Sequence, residues 1–161
     1  MIPVELVGVR VEVPANTPMV LLREQEGRHR LLPIYIGTPE ASAIHYALEG
    51  ITPPRPFTHD LFLTTIDELG ASVDKIVVTE MRDRTFYAEL HLAGTAAGKV
   101  ISCRPSDAIA LAVRCGAALF AGDELLDEHG QEPPEEPEED AAEIIDEFKD
   151  FLDEVNPEDF G

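Results

Sequence analysis

Cysteine is almost absent from this chain of 161 residues, which carries only Cys103 and Cys115. The segment between them reads as most of a helix, which at 1.5 Å per residue sets them about 15 Å apart, beyond disulfide reach. Both are expected as buried small hydrophobes in a reducing compartment. Long apolar runs are absent too: no segment approaches 18 consecutive apolar residues, and the start Met1-Ile2-Pro3-Val4 shows no basic stretch leading into an apolar one. The expectation is a soluble, cytoplasmic protein with no membrane partner. Missing as well are a P-loop, a G-x-G-x-x-G turn, a C-x-x-C pair, a G-x-S-x-G elbow and any H-x-x-x-H spacing among His29, His45, His59, His91 and His129. Phosphate-cradling glycine loops, an elbow serine nucleophile and simple zinc sites therefore have no support.

Basic residues are scarce, 12 Lys and Arg against 32 Asp and Glu, for a net charge of −20. Taken whole, that balance argues against nucleic acid as a partner, because phosphate binding draws on Lys and Arg. The distribution changes the argument. Residues 1–122 hold 11 basic against 14 acidic side chains, a net of −3, while residues 123–161 hold one against 18, a net of −17. The body is nearly neutral, and the acid is in the tail.

What is present fits one domain of ordinary size, able to bury a core without disulfides or structural metal. Residues 4–13, 19–23 and 30–36 are rich in Val, Leu and Ile and read as strands. After Gly37, Ala41, Ile44, Ala47 and Leu48 recur at helical spacing up to Gly50, with Thr38 as N-cap, Pro39 at the first helical position and Glu40 at the positive end of the dipole. Prolines 53, 54 and 56 force an extended connection. A second helix follows, capped by Thr58, with Asp60 in its first turn, Leu61, Thr65, Ile66 and Leu69 as its buried face, and Gly70 as its stop.

The pattern then recurs. Strands over 73–79, 86–92 and 99–103 lead into Arg104-Pro105-Ser106-Asp107, which opens a helix through Ile109, Leu111 and Val113 to Gly116. Pro105 and Pro39 each follow a third strand and precede an acid. This predicts an α+β fold in which a duplicated three-strand-plus-helix unit forms one curved, mostly antiparallel sheet with packed helices. Sheet edges of that kind must be covered or paired, so a homodimer or higher homo-oligomer is expected. Organisation divides into a body over 1–128, an acidic Pro/Glu linker over 129–140, and an acidic amphipathic helical tail over 141–161. The tail carries a stripe of Ile144, Phe148, Phe151, Leu152 and Val155, which docks on its own body or on a protein partner.

Two segments carry chemistry: Arg55-Pro56-Phe57-Thr58-His59-Asp60-Leu61 and Arg104-Pro105-Ser106-Asp107-Ala108-Ile109-Ala110-Leu111-Ala112. Each offers an arginine for phosphate and a carboxylate for a divalent cation, and His59 adds an acid, base or ligand. Together they suit phosphodiester hydrolysis. Plainer roles compete at every position: Asp60 and Asp107 complement helix N-termini, Arg55 and Arg104 bridge to those acids, Ser106 caps, and His59 sits at the surface.

These segments, with Leu32-Pro33-Ile34-Tyr35-Ile36-Gly37, Glu40-Ala41, Ala43-Ile44 and Phe86-Tyr87-Ala88, resemble in order and spacing the bifunctional nuclease family over about residues 3–128. The tail resembles that of actinobacterial members. The resemblance implies the curved duplicated fold, self-association and activity on RNA and DNA. Residue chemistry placed on those motifs gives a metal-assisted phosphodiesterase of low sequence preference. Asp60 and Asp107, joined by Glu40, would hold Mg²⁺ or Mn²⁺, Arg55 and Arg104 with Ser106 would bind phosphate, and His59 would transfer a proton. The alternative is a non-catalytic dimeric regulatory or scaffold protein whose tail helix binds a protein partner.

Overall fold

Alternation of apolar and polar residues sets the strands. In β2 (Thr17–Glu24) the buried positions are Val20, Leu22 and Glu24, and in β3 (Leu31–Tyr35) they are Leu32 and Ile34, two residues apart as the pleat requires. Together with β1 (Ile2–Glu12) these form an antiparallel meander that runs into helix α1 (Thr38–Leu48). After helix α2 (Thr58–Glu68), a second meander of β4 (Ala71–Arg82), β5 (Thr85–Gly94) and β6 (Val100–Cys103) runs into α3 (Pro105–Cys115), followed by β7 (Ala118–Ala121) and α4 (Asp123–His129). The computed structural model describes residues 1–134, and everything stated here concerns those residues.

The fold is α+β, with four helices and one open seven-stranded sheet in the order β3-β2-β1-β7-β4-β5-β6. It is antiparallel except where β7 lies parallel to β4. The two meanders flank β7, each ending in a third strand that feeds a proline-led helix, as the duplicated pattern predicts. Sequence reading misses β7 itself. Ala-Leu-Phe-Ala is too short to carry a periodic signal, and its place is fixed by pairing with residues 2–4 on one side and 75–78 on the other.

Helix α3 packs against α1, α2 and the sheet. Its small side chains allow that approach: Ile109 and Ala110 join the core of Val20, Leu22, Leu32, Ile34 and Ile44, while Ala108, Leu111 and Ala112 join Ile76, Ala88 and Leu90. Helix α4 sets Leu125 and Leu126 into the first core. Beneath it lies a buried ion network that local sequence does not signal. Arg30 Nε donates to Glu24 Oε2 at 3.0 Å and Nη1 to Asp127 Oδ1 at 2.7 Å, and both Arg30 and Glu24 are almost fully buried.

Several expectations need correction. The N-cap residues are Gly37 and Phe57, not Thr38 and Thr58, which are already helical. The face expected to be buried on α2 is not: Leu61 is 56% and Leu69 70% exposed, and no residue of α2 is fully buried. The helix meets α3 and β4 instead with Leu63 turned to the core, rotating Leu61 and Leu69 outward. Cys115 is exposed rather than buried, and both cysteines are free. Cys103 is half-buried, and burial, followed by the nearby Asp107 charge, pushes its thiol up to about 11, so it is no nucleophile at neutral pH.

The body also reaches beyond residue 128. Gln131 and Leu31 exchange backbone N–H···O bonds at 2.7 and 2.8 Å, and Arg28 pairs with Glu132. We therefore expect a fragment of residues 1–134 to unfold cooperatively and to be more stable than a fragment of 1–128. The difference should be about 1–3 kcal/mol, from two lost backbone bonds at the β3 edge. Urea denaturation of both fragments measures it. The remaining linker and the tail helix expected over 141–161 lie outside the described residues. No helix among the described residues is long and apolar enough to cross a membrane.

Candidate active site

Proline fixes where α1 and α3 begin, because its locked φ suits the first turn and its missing N–H costs nothing there. The start of α2 lies opposite, so three helix N-termini face one open cleft of about 630 Å³. Glu40 comes from α1, His59 from α2, and Arg104 with Asp107 from the start of α3. Unpaired N–H groups and aligned peptide dipoles give each terminus partial positive charge. In this cleft that partial charge is met by the Glu40 and Asp107 carboxylates and added to by Arg104.

Within the cleft His59 Nε2 lies 3.0 Å from Asp107 Oδ1. Arg104 forks onto the same carboxylate, Nε to Oδ2 at 2.8 Å and Nη2 to Oδ1 at 3.1 Å, and its Nη1 reaches Glu40 Oε1 at 3.1 Å. Burial alone would raise the Asp107 carboxyl, but hydrogen bonds from Arg104 and His59 outweigh it and hold the group below its ordinary range. An ionised Asp107 only accepts, so Nε2 carries the proton in that bond. Whenever the ring carries a single proton, Nδ1 is the nitrogen with the free lone pair. His59 is largely enclosed, whereas the Arg104 side chain is open to solvent and reachable by a ligand.

The structure thus brings together Glu40, His59, Arg104 and Asp107 and leaves the other expected site residues elsewhere. Asp60 Oδ2 accepts the Phe57 backbone N–H at 3.0 Å, and its Oδ1 accepts Arg114 Nε at 2.8 Å. Arg114 also donates to the carbonyls of Ala110 and Ala43, so this pair ties α1, α2 and α3 together. Asp60 lines a separate depression with Tyr46, Phe57 and Arg114. Arg55 is exposed in the proline connection, next to the cleft residue Pro56, and makes no ion pair among the described residues. Ser106 is buried on the far side of Arg104 and lines a second pocket. It does not cap α3, whose N-cap is Arg104.

Among the described residues no group of three or more His, Cys, Asp and Glu side chains is placed to hold a metal ion. Glu40 and Asp107, both on Arg104, are the two carboxylates that meet at the cleft. Mg²⁺ commonly uses one or two carboxylates and completes its shell with water and substrate phosphate, and to use this pair it would have to replace the Arg104 guanidinium that both now hold. Asp60, committed to Arg114, is not part of that pair.

Sequence reading also passes over Tyr46 and Phe57, whose rings lie 5.9 Å apart at the cleft wall. A signal existed: Pro39, Ser42, Ala43 and Tyr46 lie at helical spacing on one face of α1, and that face lines the cleft. Arg114 had none, being 54 residues from Asp60.

The placement of Asp60 leads to a prediction about stability. Burial raises its carboxyl, but the Phe57 N–H and Arg114 outweigh that and hold it below its ordinary range. With the folded value below the unfolded one, the contribution is complete above the ordinary carboxylate range and is lost as pH falls through the lowered value. Asp60→Asn should therefore lower stability at pH 7, and the difference from wild type should shrink in acid below about pH 4. Urea midpoints at pH 7 and pH 3.5 measure this, and a pH-independent difference would show that the charge is not what matters.

A family model, the bifunctional nuclease domain, matches residues 20–134, which includes all three helix starts. An uncharacterised protein of Mycobacterium tuberculosis is 41% identical over 162 residues, covering 98% of this chain and 96% of the relative. Bifunctional nuclease 1 of Oryza sativa subsp. indica is 29% identical over 110 residues, covering 66% of this chain and 33% of the relative. Bifunctional nuclease 1 of Arabidopsis thaliana is 31% identical over 106 residues, covering 63% and 32%. The match to the plant proteins is thus to about a third of their length and about two thirds of this chain. With the domain match running through both proline-led helix starts and the cleft between them, this chain belongs to the bifunctional nuclease domain family.

Proposed function

We propose that this protein hydrolyses phosphodiester bonds in RNA and DNA with low sequence preference. The observation that carries the reading is the convergence of three helix starts on the His59, Asp107 and Arg104 constellation. Arg104, exposed and forked, turns onto the non-bridging oxygens of a phosphate, and the helix termini favour the charge that builds there. His59 Nδ1 takes a proton from the attacking water as its oxygen bonds to phosphorus, and Asp107 stabilises the imidazolium. The bond from phosphorus to the leaving oxygen breaks, that oxygen takes up a proton from solvent, and the imidazolium returns its own proton to water. Glu40 and Asp107 would hold Mg²⁺ or Mn²⁺ against the same phosphate, and such an ion supplies further neutralisation of its charge. Tyr46 and Phe57 give a neighbouring base an aromatic surface to stack on, a contact every base can make, which supports low sequence preference. Two free cysteines suit a reducing, cytoplasmic setting.

The test is release of nucleotides from single-stranded RNA and DNA by the purified full chain, with Mg²⁺, with Mn²⁺ and with a chelator. Release above a mock preparation is expected for both substrates in the presence of a divalent ion. No release under any condition ends the nuclease reading, and full release in chelator removes the cation from it.

A second reading has its own observation. Leu61 and Phe62 stand exposed on α2 and Leu69 at its C-cap, and large apolar residues exposed together favour association. The scaffold alternative therefore takes the form of a homodimer joined through α2, with residues 141–161, outside the described residues, as the segment expected to bind a protein partner. Sedimentation at tens of micromolar should give a dimer mass that Leu61→Lys/Leu69→Lys converts to monomer, and a monomeric wild type rules it out.

A further inference from the structure

Beyond Arg104, on the side away from His59, lies a second pocket of about 370 Å³ that the proposed chemistry does not use. Its walls include Tyr35, Arg84, Phe86, Arg104 and Ser106. Ser106 is only 6% exposed, yet its hydroxyl makes no hydrogen bond among the described residues. No side-chain polar atom sealed from solvent lacks a partner, so the unpartnered Ser106 Oγ opens toward the pocket it lines. Its hydroxyl is therefore free to donate to, or accept from, a group that enters the pocket. Pro105 is the first residue of α3, so the N–H groups of Ser106 and Asp107 follow it at the helix start, where no intrahelical acceptor exists.

Two arginines complete the surroundings. Arg104 lines this pocket and the catalytic cleft alike, standing between them. Arg84 makes no ion pair among the described residues and has a left-handed backbone, φ 62°, as the second residue of the two-residue turn joining β4 to β5. The Ser106 hydroxyl and N–H with an uncompensated guanidinium are a donor set for a phosphate oxyanion. The exposed Tyr35 ring and Phe86 add apolar walls on which an unpaired base can rest.

We propose that this pocket is a phosphate subsite for the next nucleotide of a single-stranded chain whose reacting phosphate sits at Arg104. The inference rests on the nuclease reading and extends it. The substrate is a strand that fills two pockets on either side of one arginine. Bases on the aromatic walls must be unstacked and unpaired, so single strands are preferred to duplex.

Binding of phosphorothioate-linked thymidine oligomers to the full chain tests it. A dinucleotide has one internal phosphate and a trinucleotide two, so the trinucleotide should bind about tenfold tighter, the scale of one added set of charge-assisted hydrogen bonds. Ser106→Ala should lower that ratio severalfold. Arg84→Asn, an exposed change that keeps a residue tolerant of left-handed φ, should do the same, and the two together should bring the ratio close to one. A wild-type ratio near one, or a ratio that survives in the double variant, overturns the subsite. If it survives while His59→Ala abolishes cleavage, the subsite falls and the nuclease stands. If no oligomer of any length binds, the nuclease reading falls and takes the subsite with it.

Discussion

Replacing His59 with alanine is expected to lower nucleotide release at least a hundredfold at neutral pH while leaving the fold in place. The magnitude is that of a positioned general acid or base, about 10²–10⁴. Among the described residues His59 makes one side-chain hydrogen bond, to Asp107, and Arg104 still satisfies that carboxylate when the imidazole is gone, so no buried charge is stranded. Asp107→Asn should be almost as damaging, for a different reason. Arg104 only donates, so it holds the amide oxygen and turns the NH₂ toward His59. Nε2 must then accept, the ring proton moves to Nδ1, and the nitrogen needed as base carries a proton. If either variant retains more than a tenth of wild-type release, His59 is not the base.

That pairing shows how far the sequence could be read. His59, Arg104, Glu40 and Asp107 are visible as residue types because each lies beside a proline-led or threonine-led helix start, and helix starts are the most local signals a chain offers. Asp60 and Asp107 look alike there, each the third helical residue and each a short way after an arginine and a proline. They part company through a contact no local pattern encodes: Arg114 in the last turn of α3 captures Asp60, and Arg104 in the adjacent N-cap captures Asp107. The same division holds for the fold. The meanders and their helices follow from periodicity and turns, while β7 exists because two distant strands leave a gap for it. On α2 the helical period is correct and the face is not. Ile66 is partly buried as expected, but Leu63 shares that side in place of Leu61 and Leu69, and contact with α3 and β4, rather than count, decides which turns inward.

The largest stability effect is expected far from the cleft, at Arg30. Its guanidinium is nearly sealed from water and meets Glu24 twice, at 3.0 and 3.3 Å, with Asp127 at 2.7 Å completing the set. The Arg30 backbone N–H also reaches Glu24 Oε2 at 3.2 Å. Arg30→Ala leaves the buried Glu24 carboxylate with that one N–H, and breaking a buried pair from one side typically costs about 3–5 kcal/mol. Against a total stability of roughly 5–15 kcal/mol, that lowers the melting temperature by about 10 °C or more. The side-chain hydrogen bond from Arg30 is the main reason the Glu24 carboxyl is held below its ordinary value, ahead of the opposing effect of burial. A folded value below the unfolded one means the pair stabilises fully above the ordinary carboxylate range and loses that contribution as pH falls through the lowered value. The deficit of Arg30→Ala should therefore be largest near neutral pH and shrink in acid. A second variant separates charge from packing: Glu24→Gln/Arg30→Met removes both charges while keeping similar volume, and it should recover most of the loss. Differential scanning calorimetry of the two variants at pH 7 and pH 3.5 gives all four values. If the double variant is as unstable as Arg30→Ala, the aliphatic packing of Arg30 under α4 holds this end of the sheet. If Arg30→Ala melts with wild type, the network contributes nothing that solvent does not replace.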